Sequence, residues 1–171
     1  MKQQKKLVFL AQSGVIAALY AAVTVLLQPF AFGPVQCRLS EALTILPVYT
    51  AAAVPGLTLG CFLSNLIGLL MGVNAAGAWD LLLGTLATGS AALCSYWLRN
   101  VRIKGLPFVA TLPPVLLNAG VIGAELYVLY GGMSLWVYML VVGAGQVIAC
   151  IGGGLLLSAA MEKSGLAHRL S

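Results

Sequence analysis

Charge is what this chain has least of. Nine Lys and Arg and four Asp and Glu are spread over 171 residues, 8% of the chain, against roughly 25% in soluble domains. So few ions cannot clothe a water-facing surface, which excludes a soluble globular domain. Histidine is almost missing as well. The single one, His168, stands near the C-terminal end, which excludes a His-based triad or a His-ligated metal within the apolar part. No GxxxxGK[ST] stretch occurs, so ATP hydrolysis on a phosphate-binding loop is excluded. No DxxD-type carboxylate pair lies in an apolar run. The missing metal and nucleophile motifs argue against a membrane enzyme. Cysteine is sparse: Cys37, Cys61, Cys94 and Cys150 form no CxxC pair, and three fall in apolar runs. They point to packed or lipid-facing thiols rather than a disulfide framework.

What is there is hydrocarbon. Hydrophobic residues make up 61% of the chain and mean hydropathy is +1.01. At roughly 20 apolar residues per spanning helix, the length allows six short-looped spans and no soluble domain. The predicted fold is an all-α integral membrane protein, one domain over 1–171, with spans near 7–29, 39–54, 57–73, 79–98, 107–130 and 135–161. The first run is too long for a signal-peptide core and reads as a retained helix. Pro55-Gly56 and Gly131-Gly132 predict turns, and Pro113-Pro114 predicts a kink in the fifth helix.

Six spans put both termini on one side. Lys2, Lys5, Lys6, Arg99, Arg102, Lys104, Lys163 and Arg169 then share a face, which the positive-inside rule makes cytoplasmic. Basic residues at helix ends are a topology signal, so the net charge of +5 does not point to nucleic acid. Arg38 is the one basic residue left over. The same count delivers Arg38, Glu41, Asp80 and Glu125, from four distant segments, to one depth near the outer surface.

Ions in such a chain are costly unless paired, hydrated or used. Arg38 and Glu41 lie on one side of a helix start and can pair with each other or contact a solute. Arg38 answers an anion: Glu41, Asp80, Glu125 or a ligand oxygen. Asp80 reads as a helix cap or a site residue. Glu125, in an apolar stretch with no basic neighbour in sequence, reads as a site residue. Asn65, Asn118 and Gln146 lie deeper, as ligand contacts or interhelical bridges. Trp79 and Tyr127 belong to an aromatic belt or stack on a planar ligand; Trp136 and Tyr138 read as belt. One Arg against three acids favours a cation or a multiple hydrogen-bond donor. Planar heterocycles with donor edges suit a carboxylate, which accepts two bonds side by side.

Small residues recur every four positions in two helices: Gly14, Ala18 and Ala22, with Ala17 and Ala21 beside them, and Gly56, Gly60, Ser64, Gly68 and Gly72. Such stripes let helices approach closely. The second reads as internal packing. The first fits internal packing or an external helical partner.

Over essentially its whole length the chain resembles the QueT family, queuosine-precursor substrate-binding (S) components of energy-coupling factor (ECF) transporters. The stretch from Phe32 to Pro47, FGPVQCRLSEALTILP, carries the resemblance most strongly. The resemblance implies a six-helix S-component bundle in a bacterial plasma membrane. Its solute would be a 7-deazaguanine, as the aminomethyl or cyano precursor or queuine, bound near the outer face. It implies one transmembrane coupling subunit and two cytosolic ATPases as partners, with uptake by toppling of the loaded subunit. Ala17 with Ala21, or Ala18 with Ala22, would dock the coupling subunit. No cofactor or metal is implied. The candidate solute contacts are Arg38, Glu41, Glu125, Asp80, Trp79, Asn118, Asn65 and Tyr127. An autonomous proton-coupled carrier using Glu41, Asp80 and Glu125 as relay groups is the alternative, as is an S component for another vitamin.

Overall fold

A computed structural model describes residues 2–32, 37–74 and 76–167. Part of the motif that carries the resemblance, residues 33–36, lies outside the described residues, as do His168 and Arg169. Among the described residues the chain is helical, apart from turns and an isolated antiparallel bridge between Ile103 and Leu106. The helices are α1 (Lys2–Leu26), α2 (Gln28–Ala31), a 3₁₀ helix (Leu39–Val48), α3 (Ala53–Leu70) and α4 (Ala78–Trp97). A 3₁₀ turn (Phe108–Thr111) then leads into α5 (Leu112–Tyr130). The last span is α6 (Leu135–Gln146), a π-helical stretch (Val147–Gly153) and α7 (Gly154–Lys163) in continuous succession.

Four helical segments are long and apolar enough to cross a membrane: Gln3–Leu26, Ala53–Leu70, Phe108–Tyr130 and Leu135–Lys163. The other two predicted spans differ in instructive ways. α4 has 20 residues, but Asp80, Thr85, Thr88, Ser90 and Ser95 dilute its apolar character. The segment predicted as a helix over 39–54 is a 3₁₀ helix of 10 residues, Leu39–Val48. At about 2.0 Å per residue it reaches only about 20 Å, short of a hydrocarbon core about 30 Å thick. Pro47, without an N–H and in conflict with the carbonyl four residues back, does not fit a continued α-helical ladder. Thr44 Oγ1 also bonds the carbonyl of Glu41 at 2.6 Å, a local alternative to helical pairing.

Three proline readings change in the structure. Pro55 does not make a turn; it occupies the first turn of α3, where a missing N–H is no loss. Pro113 and Pro114 stand in the first turn of α5 and start that helix rather than kink it. Gly131 and Gly132 do turn the chain, with φ of 57° and 76°, values that few residues with a Cβ adopt.

The small-residue stripe of α3 meets α1 along Ser13, Ala17 and Tyr20. A Cβ on Gly56 would lie 2.9 Å from the Ser13 carbonyl oxygen, and one on Gly60 would lie 2.8 Å from Tyr20 Cβ and 2.9 Å from the Ala17 carbonyl. α3 therefore presses directly on the α1 backbone, with Ala17 buried in that contact; Ala21, one turn on, is buried as well. Gly14, Ala18 and Ala22 face outward. Around this seam lies a core containing Ile16, Tyr20, Ile45, Leu57, Cys61 and Ala92. Ile122, Leu126, Tyr138 and Val142 form a second cluster between α5 and α6.

Contacts also gather one end of the bundle. Arg102 pairs with Glu162 at 2.6 Å, Tyr49 bonds Ser158 at 2.6 Å and Glu162 at 3.1 Å, and Thr50 bonds Gln12 at 3.1 Å. Arg102, in the basic loop 99–104, thus reaches the last turn of α7 beside Lys163. Arg38, Glu41, Asp80 and Glu125 lie away from that end.

Candidate functional site

Arg38 ends the loop before the 3₁₀ helix and is buried. Its guanidinium forms an ion pair with Asp80. Arg38 Nε donates to the Ala31 carbonyl at 3.3 Å, its NH1 lies 3.7 Å from Cys61 Sγ, and the group sits 5.4 Å from the Phe32 ring centroid. Asp80, on the first turn of α4, also accepts a bond from Asn74 Nδ2 at 3.0 Å. Asn65 Nδ2, from α3, donates to the Asp80 backbone carbonyl at 2.6 Å. Asp80 makes no capping bond to its own helix. Its anion sits near the positive end of the α4 dipole and neutralises Arg38. Of the partners open to Arg38 from the sequence, Asp80 is the one it takes.

Gly84 makes room for this pair. One helical turn past Asp80, it stands where an added Cβ would lie 2.1 Å from Asp80 Oδ1 and 3.0 Å from Asn65 Nδ2. The carboxylate occupies the space that any other residue would fill.

Glu41 is buried on the second side of the cluster. Tyr20, from α1, donates its hydroxyl to Glu41 Oε1, and Thr88, from α4, reaches the same oxygen at 3.1 Å. A second tie from α1, Thr24 to Ser40 at 2.6 Å, fixes the start of the 3₁₀ helix. Glu41 is thus held by hydroxyls, not by Arg38.

The bonds the cluster leaves unmade carry the chemical information. Among the described residues, Glu41 Oε2, Asn65 Oδ1, Asp80 Oδ1, Asn118 Nδ2 and both carboxylate oxygens of Glu125 are buried with no protein partner. Buried polar atoms are normally satisfied, and each orphan costs about 1–3 kcal/mol, more when charged. Here they come together from the 3₁₀ helix, α3, α4 and α5. Five of the six are acceptors, so the arrangement suits a group rich in N–H donors. Asn118 lies within interaction range of Glu41, and Glu125 within range of Asp80 and Arg38.

The aromatic residues divide. Trp79 borders a cavity of about 430 Å³ between α4 and α5 that Glu125 also lines. Tyr127 is not brought to that cavity; its ring meets Tyr138 edge-on, with centroids 6.5 Å apart. Tyr138, read from the sequence as interfacial belt, is buried, and its hydroxyl donates to the Gly131 carbonyl at 2.6 Å. Trp136 is exposed. Among the described residues Gln146 pairs within its own span: its amide oxygen accepts from Cys150, one turn along, at 3.1 Å.

Sequence reasoning missed Tyr20, Thr88, Asn74 and Gly84. Tyr20 and Thr88 look like ordinary members of apolar helices. Their partner lies 21 and 47 residues away, so no local pattern marks them. Only the spacing of Asp80 and Gly84, one turn apart on a helix, was open to reading.

A family profile described as "QueT transporter" matches residues 10–163. No curated protein and no solved structure matches the chain. The match takes in the whole bundle from α1 to α7, including the four charged residues of the cluster. With helices long and apolar enough to cross a membrane, and a profile spanning nearly all of it, the chain belongs to the QueT transporter family.

Proposed function

We propose that this protein is the substrate-binding S component of an ECF-type importer, taking up a queuosine precursor across a bacterial plasma membrane. The solute is a 7-deazaguanine: the aminomethyl or cyano form, or queuine. The observation that carries this reading is that, within the Arg38–Glu41–Asp80–Glu125 cluster, five buried acceptors and one donor make no hydrogen bond to the described residues; Gln28 Oε1 and Thr85 Oγ1 are unpartnered outside it. A 7-deazaguanine offers more N–H donors than acceptors, because carbon replaces one acceptor nitrogen of the five-membered ring. Glu41 and Glu125 take N–H groups of the heterocycle or its substituent. Asn118 donates to the ring carbonyl, while Asn65 and Asp80 complete the edge. Arg38 holds Asp80 in place rather than touching the solute. Trp79 supplies a stacking surface, at about 1–3 kcal/mol per base. Tyr127, turned toward Tyr138, serves the outer surface instead.

The chain acts with a transmembrane coupling subunit and two cytosolic ATPases. Its six membrane segments, the short 3₁₀ helix Leu39–Val48 among them as a partial crossing, leave both termini cytoplasmic, which puts the Arg102–Glu162 end inside. The outward row Gly14, Ala18 and Ala22 favours Ala18 and Ala22 as the docking pair, because Ala17 packs against Gly60 of α3 and Ala21 is buried. The autonomous proton-coupled carrier is the rival, and uptake into liposomes separates the two. Accumulation that requires ATP and the partner subunits supports the S-component reading. Robust accumulation by the chain alone, driven by a pH gradient, overturns it.

A further inference from the structure

Glu125 differs from every other ion in the molecule's interior. Its residue is 5% exposed, and neither carboxylate oxygen has a hydrogen-bond partner. The charges acting on it are Asp80, of the same sign, and Arg38, already paired with Asp80. It lines the cavity of about 430 Å³ between α4 and α5, whose other walls include Leu83, Val121, Val128 and the indole of Trp79. That volume is in the range of small-molecule sites, roughly 300–1,000 Å³. An anion among hydrocarbon walls calls for a cation, and none of the described residues supplies one there. Glu41, by contrast, already has Tyr20 and Thr88 on one oxygen and needs only a neutral donor for the other. The two carboxylates therefore have different tasks.

We propose that Glu125, with Trp79 beside it, is the subsite for a cationic substituent of the solute, so that an amine-bearing 7-deazaguanine is selected over a neutral one. This rests on the solute-binding reading above and adds to it which substituent the site prefers and which residue does the choosing. With the ring directed toward the Glu41 side of the cluster, the protonated amine forms a charge-assisted bond to Glu125. A neutral nitrile of similar reach offers the carboxylate no proton.

The test is equilibrium binding by purified protein in lipid nanodiscs, using three probes: the aminomethyl form, its N-acetylated derivative and the cyano form. The expected result is that the aminomethyl form binds at least tenfold tighter than either neutral probe, about 1.4 kcal/mol. Glu125→Gln should erase that ratio by weakening the aminomethyl form at least tenfold more than either neutral probe. Equal binding of all three probes by the wild type overturns the assignment and leaves the S-component reading standing. So does a preference that survives in folded Glu125→Gln. Should that variant not fold, the wild-type ratio alone decides. Failure of all three probes and of queuine to bind overturns the proposed function itself, and this inference with it.

Discussion

Replacing Gly84 by Ala sets two effects of opposite sign against each other. Gly84 is interior to α4, and Ala is favoured over Gly there by about 1 kcal/mol. Helix propensity alone predicts a more stable protein. The packing predicts the reverse, because the new Cβ would fall 2.1 Å from Asp80 Oδ1, more than an ångström inside ordinary contact. Asp80 cannot swing aside freely, since Arg38 and Asn74 hold it. Moving it strips Arg38 of its anion, and breaking a buried pair costs about 3–5 kcal/mol. The net expectation is destabilisation of about 2–4 kcal/mol, read as a lower unfolding midpoint in detergent micelles. Gly14→Ala is the control: nothing lies within 4 Å of that Cβ position, so it should be neutral or stabilising. A double-mutant cycle sharpens the test. With Asp80 already truncated to Ala, Gly84→Ala should turn from destabilising to stabilising. A more stable Gly84→Ala in the wild-type background would refute the account of the Arg38–Asp80 pair.

Four further outcomes follow from the same geometry. Glu41→Gln should weaken solute binding tenfold or more, about 1.4 kcal/mol; wild-type affinity in a folded variant would remove Glu41 from the site. Tyr20→Phe removes one donor to a buried carboxylate, a bond worth about 1.5–3 kcal/mol. Denaturation should register that loss, and an unchanged midpoint would count against the Tyr20–Glu41 bond. Ala18→Trp, on the outward face of α1, should spare solute binding yet block uptake in cells carrying the partner subunits. Ala17→Trp should abolish folding, because Ala17 is 2% exposed against Gly60. Intact uptake by Ala18→Trp would show that this face does not dock the coupling subunit.

Much of this arrangement was legible in the sequence, for physical reasons. A buried ion in an apolar chain stands out, so Arg38, Glu41, Asp80 and Glu125 could be picked and brought together by counting helices. Small residues every four positions marked α3 for internal packing, and Gly56 and Gly60 do press on α1. The pairings within the cluster were not legible. Arg38 takes Asp80, 42 residues away, over the nearer Glu41, a choice made by how α4 packs against the 3₁₀ helix. Helix type was obscure too. Leu39–Val48 has an apolar pattern that suits an α-helix, and only Pro47 and local bonding by Thr44 hinted at tighter winding. The prolines misled because position decides their effect: Pro55, Pro113 and Pro114 all fall in first turns, where a missing N–H is harmless.

The central claim is that the bundle alone holds a donor-rich heterocycle at the Glu41–Glu125 cluster. Calorimetric titration of the purified chain, with no other protein present, tests it most directly, using queuine and the cyano and aminomethyl precursors. The account predicts saturable one-to-one binding of at least one of them, weakened tenfold or more by Glu41→Gln. Absence of binding to all three by a folded protein, or binding indifferent to both Glu41 and Glu125, would contradict it.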